Sequence, residues 1–161
     1  MKSLVVYYSM SGNCEMVAGK IAEYTGADVL RLEPVKAYPD SGFKKFFWGG
    51  KSAVMGDTPE LNPYGFDASK YETIIIGFPV WASRMAPPLK TFVADNLEAL
   101  KDKKISSFAC QGGSGAEKAF SQLCGMLKRD SLDATLVLND PKSRNNSENE
   151  KTIEAFCDKI R

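Results

Sequence analysis

Residues 4–14 read Leu4-Val5-Val6-Tyr7-Tyr8-Ser9-Met10-Ser11-Gly12-Asn13-Cys14. The run Leu4–Tyr8 is apolar on both faces, as a central parallel strand requires. From Cys14 onward the pattern changes: Cys14, Val17, Ala18 and Ile21 fall on one helical face. Between the two patterns stand two hydroxyls, a glycine and an amide. A strand, a tight polar turn and a helix in direct succession open a βα unit, and Gly26 ends that helix.

The same alternation continues along the chain. Val29-Leu30-Arg31-Leu32 reads as a second strand, and the β-branched run Ile74-Ile75-Ile76 as a third. Pro87 and Pro88 suit a helix start, where spare N–H groups make proline harmless. Leu89, Phe92, Val93 and Leu97 give the stripe that follows. Ile105–Cys110 is a fourth strand. Ser114 and Glu117 have capping-box spacing before Ala116, Ala119, Phe120, Leu123 and Leu127. Thr135–Leu138 is a fifth strand, and Ser147 with Glu150 marks a second capping box before Ile153, Phe156, Cys157 and Ile160. The segment Glu33–Tyr71 interrupts the rhythm. Phe43, Phe46 and Phe47 have helical spacing, so a short helix is expected over residues 42–53.

Strands alternating with helices imply a parallel sheet covered on both faces, an α/β three-layer sandwich. Right-handed crossovers leave the order 2-1-3-4-5 as the common solution for five strands. The expectation is one domain spanning residues 1–161.

Composition removes several function classes. The chain has no histidine, which excludes Ser-His-Asp and Cys-His catalysis and His-ligated zinc. Lys and Arg number 21 against 20 Asp and Glu, so a net charge of +1 supplies no general pull toward nucleic acid or anionic membrane. Cys14, Cys110, Cys124 and Cys157 include no C-x-x-C pair. The apolar run at the N-terminus is too short for a signal-peptide core or a membrane span. A cytoplasmic protein with reduced thiols and no membrane insertion is expected.

In such a sheet ligands bind beyond the carboxyl ends of the strands, where the strand order reverses. The loops after strands one, three and four all have unusual chemistry. Ser9–Cys14 surrounds the start of a helix, whose free N–H groups and dipole suit a phosphate. No lysine or arginine lies in that loop, so phosphate selection is expected to rest on fixed dipoles. Gly77–Pro88 carries Trp81, which suits stacking on a flat ring but equally a plug in the core. Gln111-Gly112-Gly113 lets backbone approach a ligand closely. Decoys fail on spacing. Gly12 to Gly19-Lys20 is two residues too long for a phosphate-binding P-loop. Gly113-Ser114-Gly115 meets Lys118 where a dinucleotide fingerprint needs glycine or alanine.

Taken together, these motifs resemble the flavodoxin family in its short-chain form. Ser9-Met10-Ser11-Gly12-Asn13-Cys14 resembles the family's Ser/Thr-x-Thr-Gly-Asn-Thr loop. Gly77-x-Pro79-Val80-Trp81, Ala86–Phe92 and Gln111-Gly112-Gly113 resemble its flavin loops. The segments Phe43–Lys51 and Thr58–Leu61 also resemble that subgroup. The resemblance implies a flavodoxin-like fold and noncovalent FMN. It assigns Ser9, Ser11, Gly12, Asn13 and Cys14 to the phosphate, with Met10 among the cofactor-binding residues of the same loop. Pro79, Val80, Trp81 and Ala82 would line the ring, and Gln111, Gly112 and Gly113 would close the far side. No catalytic acid or base and no metal is implied.

Three departures stand out. Cys14 replaces a hydroxyl with a weak donor, and a thiol at a helix start is a candidate for a lowered pKa. The net charge is +1, whereas the family's electron carriers are strongly acidic. Phe78 is bulkier than the small residue usual before that proline. The expected function is electron transfer between redox partner proteins. The alternative is an oxidoreductase taking hydride from NAD(P)H and reducing a quinone or similar acceptor, which the neutral charge and the aromatic–basic segment Phe43–Lys51 favour. A third reading is a non-catalytic scaffold.

Overall fold

In a computed structural model, residues 2–38 and 58–161 are described. The central sheet takes its parallel strands from β1 (Ser3–Tyr7), β2 (Asp28–Arg31), β3 (Thr73–Trp81), β5 (Lys104–Gln111) and β6 (Thr135–Asn139). Their order is β2-β1-β3-β5-β6, so the 2-1-3-4-5 arrangement holds for the five parallel strands.

The helices are α1 (Asn13–Thr25), α2 (Pro87–Asp95), the single turn α3 (Leu97–Leu100), α4 (Ala116–Leu127) and α5 (Ser147–Ile160). Period-two alternation divides the core. Leu4, Val6, Ile74, Ile76 and Phe78 face α2 and α4, where Leu89, Phe92, Ala119 and Leu123 meet them. Val5, Tyr7, Ile75, Phe108 and Cys110 face α1 and α5, meeting Val17, Ile21, Ile153 and Phe156. Because both faces are covered, Leu4–Tyr7 of β1 and Ile74–Ile76 of β3 read as unbroken apolar runs.

The largest difference from expectation lies after the third strand. Residues 77–81 extend β3, and Trp81 turns through Ala82 and Ser83 into the short antiparallel strand β4 (Arg84–Met85). The hairpin is closed by Ala86 N–H donating to Pro79 O at 3.1 Å, and Met85 N–H donates to Gln122 Oε1 at 2.9 Å. Pro79 fits because it stands at the last residue pairing with β5, where a missing N–H interrupts little.

Helix starts also shift. Gly115, with φ of 107°, precedes α4, and Gln111 Oε1 rather than Ser114 accepts the Ala116 N–H at 3.0 Å. Asn146, one residue before Ser147, caps α5 by accepting the Asn149 N–H at 2.8 Å. Gly26 closes α1 as expected, with φ of 74°. The connection after β2 is pinched where Pro34 bridges Leu61, with Val35 N–H donating to Glu60 O and Asn62 N–H to Glu33 O. The helix expected over residues 42–53, and with it Phe43–Lys51, lies outside the described residues. Among the described residues no helix is long and apolar enough to cross a membrane.

Candidate functional site

The β1–α1 turn is shaped before any ligand is considered. Ser9 Oγ accepts the Gly12 N–H at 3.2 Å, and its own hydroxyl proton is left to donate elsewhere. Gly12 has φ of 95°, a left-handed conformation that a side chain would resist. Met16 N–H donates to Gly12 O at 3.1 Å, the first intrahelical bond of α1. The N–H groups of Asn13, Cys14 and Glu15 therefore precede the ladder, and no side chain caps them. A helix end with that many unengaged donors is an anion site by its construction.

Outside the turn, Arg31 Nη2 donates to Ser9 O at 2.9 Å, while its guanidinium pairs with Glu15 (3.2 Å) and Glu33. Arg31 thus braces the loop with its charge already matched. On the other side, Lys142 N–H donates to Asn13 Oδ1 at 2.9 Å.

These elements border a cavity of about 230 Å³. It is lined by Ser9, Met10, Ser11, Asn13 and Cys14 from the first turn, by Pro79, Val80, Trp81 and Ala82 from the β3–β4 hairpin, and by Gln111 and Gly112 beyond β5. Of the expected residues, Gly12 and Gly113 lie in those loops without lining it. Cys110 and Asp140 line it and were missed. Asp140 follows the fifth parallel strand, whose carboxyl end opens on the same edge of the sheet. Its place was therefore readable from topology.

One expectation about an individual side chain is corrected. Cys14 is buried, and desolvation pushes its thiol well above the ordinary range, with the neighbouring Cys110 thiol adding to the shift. Burial outweighs the helix dipole, so Cys14 is no lowered-pKa thiol and brings no charge against a phosphate. Gln111 lines the cavity, but its amide organises the third loop. Its Nε2 donates to Asn139 Oδ1 at 2.9 Å and to Gly113 O at 3.3 Å.

Trp81 is both wall and packing element. It lines the cavity and meets Tyr8 and Tyr38 edge-on, with ring centroids 5.9 and 5.0 Å away. Tyr8 is buried, and desolvation raises its phenol above the ordinary value. Gly115 brings the third loop against the hairpin, since a Cβ there would stand 2.9 Å from Ser83 Cα. Among the described residues no cluster of acids and thiols is suited to a metal ion.

A family model described as flavodoxin matches residues 2–160. The chain belongs to the flavodoxin family. Its fold is shared with a flavoprotein from Lactobacillus acidophilus NCFM solved in complex with FMN, at 21% identity and a TM-score of 0.73, covering 89% of this chain and 97% of that one. A candidate flavoprotein of Bacteroides uniformis ATCC 8492 aligns at 24% identity and a TM-score of 0.77, over 98% of this chain and 97% of that one. The two-electron reduced flavodoxin of Megasphaera elsdenii aligns at 22% identity and a TM-score of 0.57, over 97% and 98%. At these identities the likeness is one of fold. Cys14, where the resemblance leads one to expect a hydroxyl, is buried among Val17, Ala18 and Cys110.

Proposed function

We propose that this flavodoxin binds FMN noncovalently in the cavity between the β1–α1 turn, the β3–β4 hairpin and the loop after β5, and carries electrons between redox partner proteins of the cytoplasm. The carrying observation is that the uncapped first turn of α1 and Trp81 border one cavity. A dianionic phosphate suits the first and a flat ring suits the second, and FMN presents both chemistries in one molecule.

Bound FMN supplies one- and two-electron chemistry at its tricyclic ring. The chain's residues supply the rest. The N–H groups of Asn13, Cys14 and Glu15 would hold the phosphate, with the Ser9 and Ser11 hydroxyls in the same turn. Each such contact to an anion is worth about 1.5–3 kcal/mol when well aligned. Trp81 and Val80, which line the cavity, would exclude water from one side of the ring. The Gln111 side chain fixes the Gly112–Gly113 backbone on the other side through the hydrogen bonds to Asn139 and Gly113.

The carrier reading over the NAD(P)H:acceptor oxidoreductase reading rests on family membership. The net charge of +1 favours the second, because an anionic nicotinamide cofactor meets no general repulsion. Two measurements test the proposal. Apo-protein titrated with FMN should quench flavin fluorescence with saturating, stoichiometric binding, and no quenching would overturn it. Mixed with NADPH or NADH and a soluble quinone, the loaded protein should turn over slowly. Rapid steady-state turnover would replace the carrier by the oxidoreductase.

A further inference from the structure

We infer that Lys142 selects the phosphorylated cofactor: its ammonium, laid over Gly12 by the turn that joins β6 to α5, pairs with the phosphate and makes the site favour FMN over uncharged riboflavin. This deepens the FMN reading and rests on it.

The place a Cβ would occupy on Gly12 lies 2.8 Å from Lys142 Nζ, 3.2 Å from its Cδ and 3.5 Å from its Cε. The end of the lysine therefore rests flat on the turn that begins α1, and only the absence of a side chain at residue 12 makes room for it. The lysine stem is otherwise exposed, so core packing does not force this position.

The backbone holds the lysine there. Lys142 N–H donates to Asn13 Oδ1 at 2.9 Å, and Asp140 N–H donates to Gln111 O at 3.0 Å. Asp140 O in turn accepts from Ser143 and Arg144 N–H at 3.1 and 2.9 Å. The turn is thus fastened to the first loop and the third loop at once.

The charge arrangement calls for an anion. Lys142 stands beside the positive end of the α1 dipole and three unladdered N–H groups, which by themselves repel an ammonium. Among the described residues Lys142 enters no ion pair, and Asp140, which lines the cavity, is not paired with it. Arg31, the other cation at this turn, is already matched by Glu15 and Glu33. A phosphate between the helix end and Nζ satisfies both at once. Dipoles alone would grip a phosphate, but the Lys142 ammonium adds a Coulomb contribution that riboflavin, lacking the phosphate, does not collect.

The test is a pair of titrations, FMN and riboflavin, each followed by flavin fluorescence quenching at low and high salt. Wild-type protein, Lys142→Met and Lys142→Arg are compared, with Lys142→Gln standing in should the Met variant not fold. The expected result is an FMN-to-riboflavin affinity ratio that falls roughly tenfold in Lys142→Met, the equivalent of ~1.4 kcal/mol. It should be kept largely in Lys142→Arg, with riboflavin affinity unchanged. High salt should weaken FMN binding more in wild type than in Lys142→Met. An unchanged ratio overturns the inference, as does an equal loss for both ligands, which would make Lys142 a loop-packing residue. Both results presuppose that wild type binds FMN; if it does not, the FMN reading itself fails.

Discussion

Phe108 occupies the space that a side chain at Gly77 would need. The two residues are register partners on β5 and β3, and a Cβ built on Gly77 would overlap the Phe108 ring. In the same row stand Tyr7 on β1 and Leu136 on β6, all on the face covered by α1 and α5. The glycine lets one large ring cross toward β3 immediately below the strand ends that carry the site. Gly77→Ala should therefore destabilise the protein by about 3 kcal/mol, at or beyond the upper end of ordinary overpacking. Phe108→Leu in the same chain should recover at least about 1 kcal/mol of that loss, a coupling between touching residues. Urea denaturation of the two single variants and the double variant measures it, and additive losses would contradict the contact.

The hairpin that presents Trp81 is built on an unfavourable turn. Ala82 and Ser83 have φ of 51° and 63°, both left-handed, as a two-residue hairpin turn requires. Asparagine and glycine take that conformation readily, whereas alanine and serine pay ~1–2 kcal/mol for it. Ser83→Gly should stabilise the protein by about 0.5–1 kcal/mol after the added freedom of the unfolded chain is counted. FMN affinity should stay within about twofold, because Ser83 is not among the cavity-lining residues. A lower thermal midpoint would show that the serine hydroxyl matters more than its backbone.

The sheet was legible because its signals are local. Ile74-Ile75-Ile76 has to be a doubly buried strand, and Cys14, Val17, Ala18 and Ile21 have to share a helix face, whatever surrounds them. The first and third loops were legible for the same reason: glycines beside hydroxyls at strand ends have few uses. The hairpin at Trp81 was hidden because Ala82-Ser83 lacks the Asn-Gly signature of its turn. Lys142 was hidden because its role arises from a contact with Gly12 far away in the chain, which no spacing encodes. The thiol of Cys14 was misread because the helix dipole is visible in sequence while burial against Cys110 is not.

Buried thiols make stability fall at alkaline pH. Burial pushes Cys157 up to about 11 and holds Cys14 well above its ordinary value. In the unfolded chain both ionise near the usual ~8.5. Between that value and the folded one the native state holds protons that the unfolded state has lost, so stability decreases as pH rises. Below about pH 8 neither thiol contributes a slope. The urea midpoint should be flat from about pH 7 to 8 and decline from there to about pH 10. Cys157→Ala, though less stable throughout, should show a shallower decline. A wild-type midpoint constant across the window would mean that the thiols are hydrated in the folded protein.

Trp81 separates ring binding from phosphate binding. It is half-buried, lines the cavity, and packs edge-on against Tyr8 and Tyr38. Trp81→Ala removes an aromatic contact worth ~0.5–1.5 kcal/mol beyond the area it buries, so FMN affinity should fall about tenfold. The apo-protein should also lose about 2 kcal/mol, less than for a fully buried tryptophan, as its contacts with the two tyrosines go. Trp81→Phe should restore most of both. The diagnostic is the comparison with riboflavin, which shares the ring and lacks the phosphate. Trp81→Ala should weaken riboflavin and FMN by the same factor, leaving their ratio at the wild-type value, whereas Lys142→Met should change the ratio and spare riboflavin. If Trp81→Ala lowers stability while both ligands bind as before, the tryptophan belongs to the aromatic trio alone and the ring lies against another wall of the cavity.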